Sequence, residues 1–409
     1  MDKKYLKVKK RSDIEKILLD KFSVNVGKET CPIQDAVNHF SARDYKATFS
    51  IPSFRKSLVD GFAVHSKDVL GASPSNPVPL RLISTLKIGE SYKEKLKRGE
   101  TAYVPTGGVV PDGADSLVMI EHTQVQGDDE VFVFRSVSPH ENLIEVGEDV
   151  KKVTVILKKG ERITPQKVAL LRGFGLSEVE VFNKIPIGII STGDELVDSG
   201  PLKTGKIYDI NGYALFSEAL SSSIFLPKFY GIVKDREDKL QKALTKTLSE
   251  NDIVIMSGGT SKGSFDFTVS VINKAGKPGV LIHGLHLSPG KPSVFGVVNQ
   301  KLIVGLSGNP LASFLVFKYV VIPLIAKKIG LKVKKHTVFA TLNANVPSRK
   351  GREEFIVVKL VKRSNEFFAE PIFSESAFIS VFIEGSGIIT IPLMSEGLIK
   401  GEKVEITLW

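Results

Sequence analysis

Residues 184 to about 330 alternate short apolar runs with segments of helical periodicity, and this alternation limits the possible folds more than any other feature. Ile187–Ile190 and Ile253–Met256 are typical of buried strands. Residues 235–250 repeat apolar side chains on one helical face, and a long apolar helix is predicted from Pro310 to about Ile329. Strands that alternate with helices form βαβ units, which build a mainly parallel sheet. The sequence therefore predicts an α/β domain here.

The remaining segments have other patterns. Near the N-terminus, Ser12 and Glu15 are spaced as a capping box, and residues 34–42 favour a second helix. From 46 to 144, short β-type runs broken by Gly, Pro and Asp predict a small β domain. Thr164 followed by Pro165 predicts a helix start. Residues 331–409 again alternate β segments, which favours a small barrel or sandwich.

Length and composition exclude several classes of protein. A chain of 409 residues, 42% hydrophobic and 25% charged, favours two to four domains over one. Cys31 is the single cysteine, so an internal disulfide and a multi-cysteine zinc site are excluded. The N-terminus has no apolar leader, and no stretch approaches the roughly 20 apolar residues of a membrane span. We expect a cytoplasmic protein without membrane association.

The net charge of +11 (56 Lys and Arg minus 45 Asp and Glu) suits an anionic partner, but its distribution argues against nucleic acid. The basic residues are dispersed along the chain, and no helix-turn-helix or stacking-aromatic pattern accompanies them. We expect no nucleic-acid partner. A solvated surface and a field that attracts a small anion both stay open.

Gly, Ser and Pro-rich loops follow the predicted strands of the α/β segment, where parallel sheets bind ligands. In the loop Ser257–Asp266, Gly258, Gly259 and Gly263 let backbone N–H groups converge on an anion, and Ser261 and Ser264 add hydroxyl donors. The loop is neither a Walker A loop nor a dinucleotide fingerprint. It suits a phosphate cradle, and a simple tight turn is the alternative.

Carboxylates also occur at these predicted strand exits. Asp194, Glu195, Asp209 and Asp266 would repel phosphate groups unless a cation lay between them, which predicts a Mg²⁺ site. For Asp209 and Asp266 the alternative role is capping a helix. Lys291, held in a stiff Pro-Gly-Lys-Pro loop, suits an oxyanion, with a solvated lysine as the alternative.

Seven motifs, taken together, carry a family resemblance. In chain order they are Ser57-Leu-Val-Asp-Gly-Phe-Ala, Pro105-Thr-Gly-Gly-Val-Val-Pro-Asp-Gly-Ala-Asp, Ser191-Thr-Gly-Asp-Glu-Leu, Gly205-Lys-Ile-Tyr-Asp-Ile-Asn, Ser257-Gly-Gly-Thr-Ser-Lys-Gly-Ser-Phe-Asp, Pro289-Gly-Lys-Pro and Gly305-Leu-Ser-Gly-Asn-Pro. In order and spacing they resemble the molybdopterin molybdotransferase family, which includes the MoeA proteins and the E domain of gephyrin. The resemblance covers nearly the whole chain.

The resemblance implies a multidomain α/β fold in four parts. These are an elongated dimerising domain (1–45 and 145–183), an inserted β domain (46–144), a parallel-sheet α/β domain that binds molybdopterin (184–330) and a C-terminal β-barrel (331–409). It also implies the last step of molybdenum cofactor synthesis. In that step adenylylated molybdopterin and molybdate give the metal-loaded cofactor and AMP, with Mg²⁺, at a site shared across a homodimer.

The resemblance also implies the site residues. Asp60, Thr106, Glu195, Asp209, Asp266 and Lys291 would act in catalysis, and the four carboxylates among them would be candidate Mg²⁺ ligands. Substrate would contact the Ser257–Ser264 loop, Pro289, Pro292, Gly308 and Asn309. Arg352 and Ser376 occupy the positions where the family is thought to hold molybdate, and Asp60 would reach the α/β cleft of the partner subunit.

Several positions depart from the family pattern. Val59 and Phe62 replace the usual Met and Tyr, whereas Ser288, Ser307 and Ala312 replace residues that are often Lys, Pro and Ser, with Ser313 following one place later. The loss of a lysine and a hydroxyl near an oxyanion site leaves tungstate open beside molybdate. Two other functions stay open, the related molybdopterin adenylyltransferase and a non-catalytic scaffold. The adenylyltransferase usually has less than half this length.

Overall fold

The computed structural model describes residues 8–258, 264–364, 366–373, 375 and 377–409, with residues 264–266 described by their backbone alone. The chain forms two compact units. Unit 1 comprises the residues up to Arg43, Lys159–Val168 and Ser177–Trp409, and unit 2 comprises Asp44–Lys158 and Ala169–Leu176. The division into four parts with the boundaries given above stays a prediction.

The N-terminal part of unit 1 departs from the prediction in two places. Its elements are α1 (Arg11–Leu18), β1 (Lys28–Pro32) and a 3-10 turn (Ile33–Asp35). The carboxylate of Asp13 accepts the backbone N–H of Lys10 at 3.3 Å, so Ser12 lies inside the helix and the predicted capping box is wrong. The predicted helix over 34–42 is also wrong. Phe40 and Ser41 instead form β-bridges with other segments of unit 1.

Unit 2 contains the short strands that its sequence predicts. Six of them form one sheet in the order β7-β4-β6-β5-β9-β8, mostly antiparallel, with β5 and β6 parallel. The strands of this unit are β2 (Tyr45–Lys46), β3 (Lys56–Ser57), β4 (Gly61–Val64), β5 (Val78–Thr85), β6 (Glu100–Val104), β7 (Ser116–Met119), β8 (Thr123–Gln126), β9 (Glu130–Val133), β10 (Leu143–Ile144) and β11 (Val155–Leu157). Short 3-10 turns lie at Ser66–Asp68 and Ile120–His122.

The predicted helix start at Thr164 is confirmed. α2 spans Pro165–Gly173, and the Thr164 hydroxyl oxygen accepts the backbone N–H of Lys167 at 3.4 Å. The next strand, β12 (Glu178–Phe182), pairs antiparallel with β1 inside unit 1.

The α/β segment of unit 1 forms a six-stranded sheet in the order β16-β13-β17-β21-β20-β18. The first four strands are parallel, and β20 runs antiparallel to both of its neighbours. The elements of this segment are β13 (Ile185–Thr192), β14 (Leu196–Val197), β15 (Ile207–Tyr208), α3 (Asn211–Ser222), β16 (Phe225–Val233), α4 (Glu237–Glu250), β17 (Ile253–Gly258), α5 (Ser264–Ala275), β18 (Pro278–His283), β19 (Leu287–Ser288), β20 (Val294–Val298), β21 (Lys301–Leu306), α6 (Pro310–Val316) and α7 (Ile322–Lys328).

Alternation along β17 shows why this sheet is covered on both faces. Ile253 and Ile255 pack into one core with α3 and α6, whereas Val254 and Met256 pack into another with α4 and α5. Successive side chains of a strand point to opposite faces, so a continuous apolar run needs helices on both sides. The predicted α/β architecture is confirmed, with an antiparallel pair added at one edge.

The predicted apolar helix from Pro310 is present but contains a π-helical turn at Phe317–Val321 between α6 and α7. Among the described residues, Pro310–Lys328 is the one helix whose length and composition would suit a membrane span, and 67% of its most apolar window is buried inside the protein. The expectation that no stretch approaches span length is therefore wrong. Such burial is typical of a core helix.

The C-terminal part of unit 1 is a closed five-stranded barrel with a short helix. Its ring runs β24-β25-β22-β28-β26 and closes by pairing β24 with β26, while β19 adds to the outer side of β24. The barrel interpretation is thus confirmed over the sandwich. The elements are β22 (Thr337–Leu342), β23 (Val346–Pro347), β24 (Glu353–Arg363), β25 (Glu366–Pro371), α8 (Val381–Glu384), β26 (Gly387–Ile391), β27 (Gly397–Leu398) and β28 (Lys403–Leu408).

Candidate functional site

The predicted ligand-binding loops meet at one edge of the α/β sheet. β13, β16, β17, β18 and β21 all end at this edge, and β20 begins there. Thr192, Gly258, His283 and Leu306, where four of these strands end, therefore lie along the same edge. This common edge is where parallel sheets place their ligands, because no helix covers it.

Asp209 lies two residues before α3 and is 5% exposed. Its Oδ1 accepts the backbone N–H of Gly212 at 3.0 Å, so it caps the helix as the alternative interpretation expects. Its Oδ2 is buried without a hydrogen-bond partner in the described structure. A capping role therefore explains the hydrogen bond of one carboxylate oxygen but not the burial of the other.

Two further buried oxygens lie beside Asp209. The Oγ of Ser191 and the Oδ1 of Asn211 have no hydrogen-bond partner among the described residues. A Cβ atom placed on Gly212 would lie 2.4 Å from Asp209 Oδ2 and 2.6 Å from Ser191 Oγ, so both oxygens crowd the small space beside this glycine. Buried polar atoms without partners cost free energy, and a ligand offsets that cost. We call this space the Asp209 pocket.

Asn211 connects the Asp209 pocket to the next loop along the edge. Its side-chain amide donates to the carbonyl oxygen of Gly308 at 2.9 Å and lies 3.5 Å from that of Ser307. The backbone N–H of Asn309 in turn donates to the Ser307 hydroxyl at 3.2 Å. The loop that follows β21 is therefore held against the start of α3.

Two other predicted residues, Glu195 and Gly258, lie at this edge. Glu195 is exposed, in the turn after β13, with its carboxylate against Gly193. Gly258 ends β17, and a Cβ atom there would lie 1.8 Å from the carbonyl oxygen of Thr192. Glycine at 258 is thus required by the close approach of two strand ends, a reason that involves no ligand.

Part of the predicted phosphate cradle lies outside the described residues. Gly259, Ser261 and Gly263 are in this group, as are the side chains of Ser264 and Asp266. α5 begins at Ser264, three residues before the start that capping by Asp266 would give. Asp266 belongs to the first turn, which excludes the N-cap position proposed as its alternative role. Ser376 also lies outside the described residues.

A cleft of about 1050 Å³ lies between the sheet edge and the barrel, within unit 1. The structure brings five predicted residues together in its lining, namely Pro289, Lys291, Pro292, Asn309 and Arg352. The first three come from the segment that joins β18 to β20, Asn309 precedes α6, and Arg352 precedes the barrel strand β24.

The charges in the cleft favour an anion. Lys291 and Arg349 are exposed in its lining, and neither side chain has an ion-pair partner in the described part of the chain. Arg352 pairs with the buried Glu354, while its Nε is buried without a hydrogen-bond partner. Two unpaired cations that face one concave space raise the local concentration of anions.

Three of the five departures from the family pattern lie in this cleft. Ser288, Ser307 and Ala312 all line it. Ser313 does not restore the hydroxyl that is absent at 312, because its Oγ is buried 3.3 Å from the Oγ of Ser257. The cleft wall is therefore less polar at this position than the family pattern would give.

Asp60 and Thr106 form a second pair, within unit 2. Both the backbone N–H and the hydroxyl of Thr106 donate to Asp60 Oδ1, at 2.7 and 3.1 Å. The register of β4 on β6 places Gly61 opposite Val104, which brings the residues flanking these strands together. The fold thus brings the two motifs together, and the carboxylate is exposed.

No group of three or more His, Cys, Asp or Glu side chains within the described residues is arranged to hold a metal ion. The side chain of Asp266 is not among the described side chains. The Mg²⁺ site accordingly stays a prediction.

The sequence interpretation missed five residues that line the two spaces. Ser191 and Asn211 stand inside recognised motifs, and Arg349 precedes Arg352 in a basic run, so motif position and charge were available signals. Phe373 and Phe378 also line the cleft, and nothing in their local sequence indicated it.

Comparison with known proteins matches the chain in three consecutive parts. They are the MoeA N-terminal region (domain I and II) over residues 10–175, a probable molybdopterin binding domain over 188–327 and the MoeA C-terminal region (domain IV) over 340–409.

Full-length relatives agree with these matches. A putative molybdopterin biosynthesis protein of Methanocaldococcus jannaschii is 37% identical, covering 96% of each chain. A molybdopterin molybdenumtransferase of Haemophilus influenzae is 33% identical over 83% of this chain and 82% of its own. The crystal structure of a molybdopterin biosynthesis moeA protein from Pyrococcus horikoshii OT3 has a TM-score of 0.84 and 32% identity, and covers 98% of this chain and 100% of its own. With its loops, cleft and barrel in the family's order, the chain belongs to the MoeA family of molybdopterin biosynthesis proteins.

Proposed function

We propose that the protein is a molybdopterin molybdenumtransferase. Its substrates are adenylylated molybdopterin and molybdate, and its products are the metal-loaded cofactor and AMP. The observation that carries this proposal is the cleft at the sheet edge, where Lys291 and Arg349 have no ion-pair partner in the described structure and Arg352 adds a third cation to the lining. The relatives named as molybdenumtransferases support the same reaction.

In this proposal the cleft binds the oxyanion. Lys291 lies on a loop stiffened by Pro289 and Pro292, so the backbone that carries its side chain is restricted. Arg349 and Arg352 contribute from the opposite, barrel side of the cleft. Charge neutralisation and fixed orientation are the main contributions that a protein makes to transfer at a phosphoanhydride.

The Asp209 pocket suits a hard cation. Three buried oxygens without partners, from Asp209, Ser191 and Asn211, are of the donor type that Mg²⁺ prefers, and Mg²⁺ needs only one or two carboxylates when waters and phosphates complete its shell. Asp209 would hold it, with Glu195, Asp266 and Asp60 as further candidates. When bound, Mg²⁺ neutralises phosphate oxygens. The protein's own contribution is to fix the Asp209 carboxylate through the N–H of Gly212.

Asp60 is proposed to act across a homodimer. It belongs to unit 2, where Thr106 holds one of its oxygens and leaves Oδ2 without a hydrogen bond from the described residues. A carboxylate oriented in this way is suited to contact a ligand of the partner subunit. The family resemblance is what implies a site shared between two subunits.

Tungstate is the second candidate oxyanion. The observation that favours it is the altered wall of the cleft, where Ser288, Ser307 and Ala312 replace more polar or stiffer residues. Molybdate and tungstate have the same charge and shape, so the same cations would bind either.

The test is AMP release from adenylylated molybdopterin by the purified protein with Mg²⁺, with molybdate and tungstate supplied in separate reactions. We expect release that depends on the oxyanion, and a loss of about tenfold or more in Lys291→Ala, because one charged contact in a desolvated site contributes about that much. Lys242→Ala, on the exposed face of α4, is the matched control and should keep the wild-type rate. Absence of AMP release with either oxyanion would reject the proposal.

A further inference from the structure

We propose that Phe373 and Phe378 stack on a planar heteroaromatic ring of the substrate nucleotide, on the barrel side of the cleft. The inference rests on the proposed function and concerns a part of the cleft that the oxyanion leaves free. Adenine and pterin are both planar rings of this kind.

The cleft has room for an occupant larger than an oxyanion. Its volume is about 1050 Å³. Pockets that enclose ligands of drug size span roughly 300–1000 Å³, whereas a metal atom with four oxygens fills only a small part of such a space. A nucleotide with its ring and phosphates matches the volume.

The two aromatic side chains are exposed to solvent. Phe373 is 64% exposed and Phe378 is 54% exposed, and both line the cleft. Large apolar side chains that stay solvent-accessible in a concave site are typical of ligand contacts, because the ligand rather than the core removes them from water. Apolar residues continue the same lining, among them Leu287, Val357 and Ile372.

The cleft also contains positively charged side chains. Lys291 and Arg349 share the cleft with the two phenylalanines, so it offers cations and aromatic faces together. A purely apolar ligand would leave the cations without a partner, and a bare oxyanion would leave the rings exposed. A ring linked to phosphate groups satisfies both. Stacking of a base on an aromatic side chain contributes enough binding energy to be measured by substitution.

The experiment is calorimetric titration of AMP and of molybdopterin, separately, into wild type and the double variant Phe373→Ala/Phe378→Ala. We expect the affinity for one of the two ligands to fall about tenfold or more, and the ligand affected identifies the ring. Phe339→Ala is the matched control. Phe339 is 67% exposed on the barrel strand β22 and does not line the cleft, so both affinities should stay at the wild-type values.

Conservative variants separate stacking from apolar packing. Phe373→Tyr/Phe378→Tyr should keep the affinity, whereas Phe373→Leu/Phe378→Leu should lose it, because leucine has similar volume and no aromatic face. Thermal melting checks that each variant is folded. If wild type binds and the Ala or Leu double variant binds both ligands equally well, stacking is refuted while the proposed function stands. If wild type binds neither ligand, the proposed function fails as well.

Discussion

Asp60 and Asp209 are assigned the same role by the family resemblance, but the fold builds their surroundings in opposite ways. Asp60 is an exposed carboxylate in unit 2 with one oxygen held twice by Thr106. Asp209 is a buried carboxylate in unit 1, with one oxygen held by the Gly212 N–H and the other without a partner. Water can solvate the first carboxylate when no ligand is bound, whereas the second is shielded from water.

This difference indicates which of the two carboxylates lowers the stability of the ligand-free protein. An exposed acid keeps its hydration and loses little free energy in the absence of ligand. A buried acid with an open oxygen is desolvated without full compensation, which is tolerated where a ligand later supplies the contact. In the proposed site Asp209 would therefore be the more specialised ligand of the two, and Asp60 an oriented but adaptable one.

The largest effect is expected for Asp209→Asn. The amide keeps an oxygen for the Gly212 N–H but removes the negative charge, so we expect AMP release to fall by about 100-fold or more. We also expect the free energy of unfolding to rise by about 1 kcal/mol, because the uncompensated carboxylate oxygen is gone. Urea denaturation and the AMP assay measure the two effects on the same preparation.

The matched variant for this prediction is Asp60→Asn, which should lower activity while the free energy of unfolding stays within about 0.5 kcal/mol of wild type. A clear loss of stability in Asp209→Asn would mean that Asp209 Oδ2 has a hydrogen-bond partner in the native protein. The proposed difference between the two carboxylates would then be wrong.

Gly212→Ala tests the space beside Asp209. Its Cβ would meet Asp209 Oδ2 at 2.4 Å, with Ser191 Oγ and Phe229 Cε2 both at 2.6 Å. We expect a loss of about 1–3 kcal/mol in the free energy of unfolding, together with weaker activity, since overpacking forces these groups to move. Gly173→Ala in α2 is the control. Nothing described lies within 4 Å of its added methyl group, so stability should be unchanged or higher.

The smallest effect is expected at the Asp60 site, in Thr106→Val. This change removes the hydroxyl bond to Asp60 but keeps the backbone N–H bond, so activity should fall by severalfold at most. Thr106→Ser keeps the hydroxyl and should retain the wild-type rate. A loss in the Ser variant with the wild-type rate in the Val variant would show that the threonine methyl group, rather than the hydroxyl, supports the site.

Local sequence predicted the elements whose stability is local or strongly periodic. Thr164 with Pro165 marked the start of α2, and the apolar run of β17 marked a strand covered on both faces. It failed where pairing with a distant segment outweighs local propensity. Residues 34–42 have helical periodicity, but Phe40 and Ser41 pair with residues far along the chain instead. At α1, Asp13 rather than Glu15 caps the helix.

The sequence by itself determined the family, the α/β core and most residues of the candidate site, because glycines, carboxylates and a lysine at strand ends are required by local backbone geometry and charge. Only the tertiary structure decided which of them meet. Arg349, Phe373 and Phe378 reach the same cleft as Lys291 because the barrel packs beside the sheet edge within unit 1. The open oxygen of Asp209 likewise follows from burial. Contacts between residues distant in sequence, and the loss of water around them, arise only when the chain has folded.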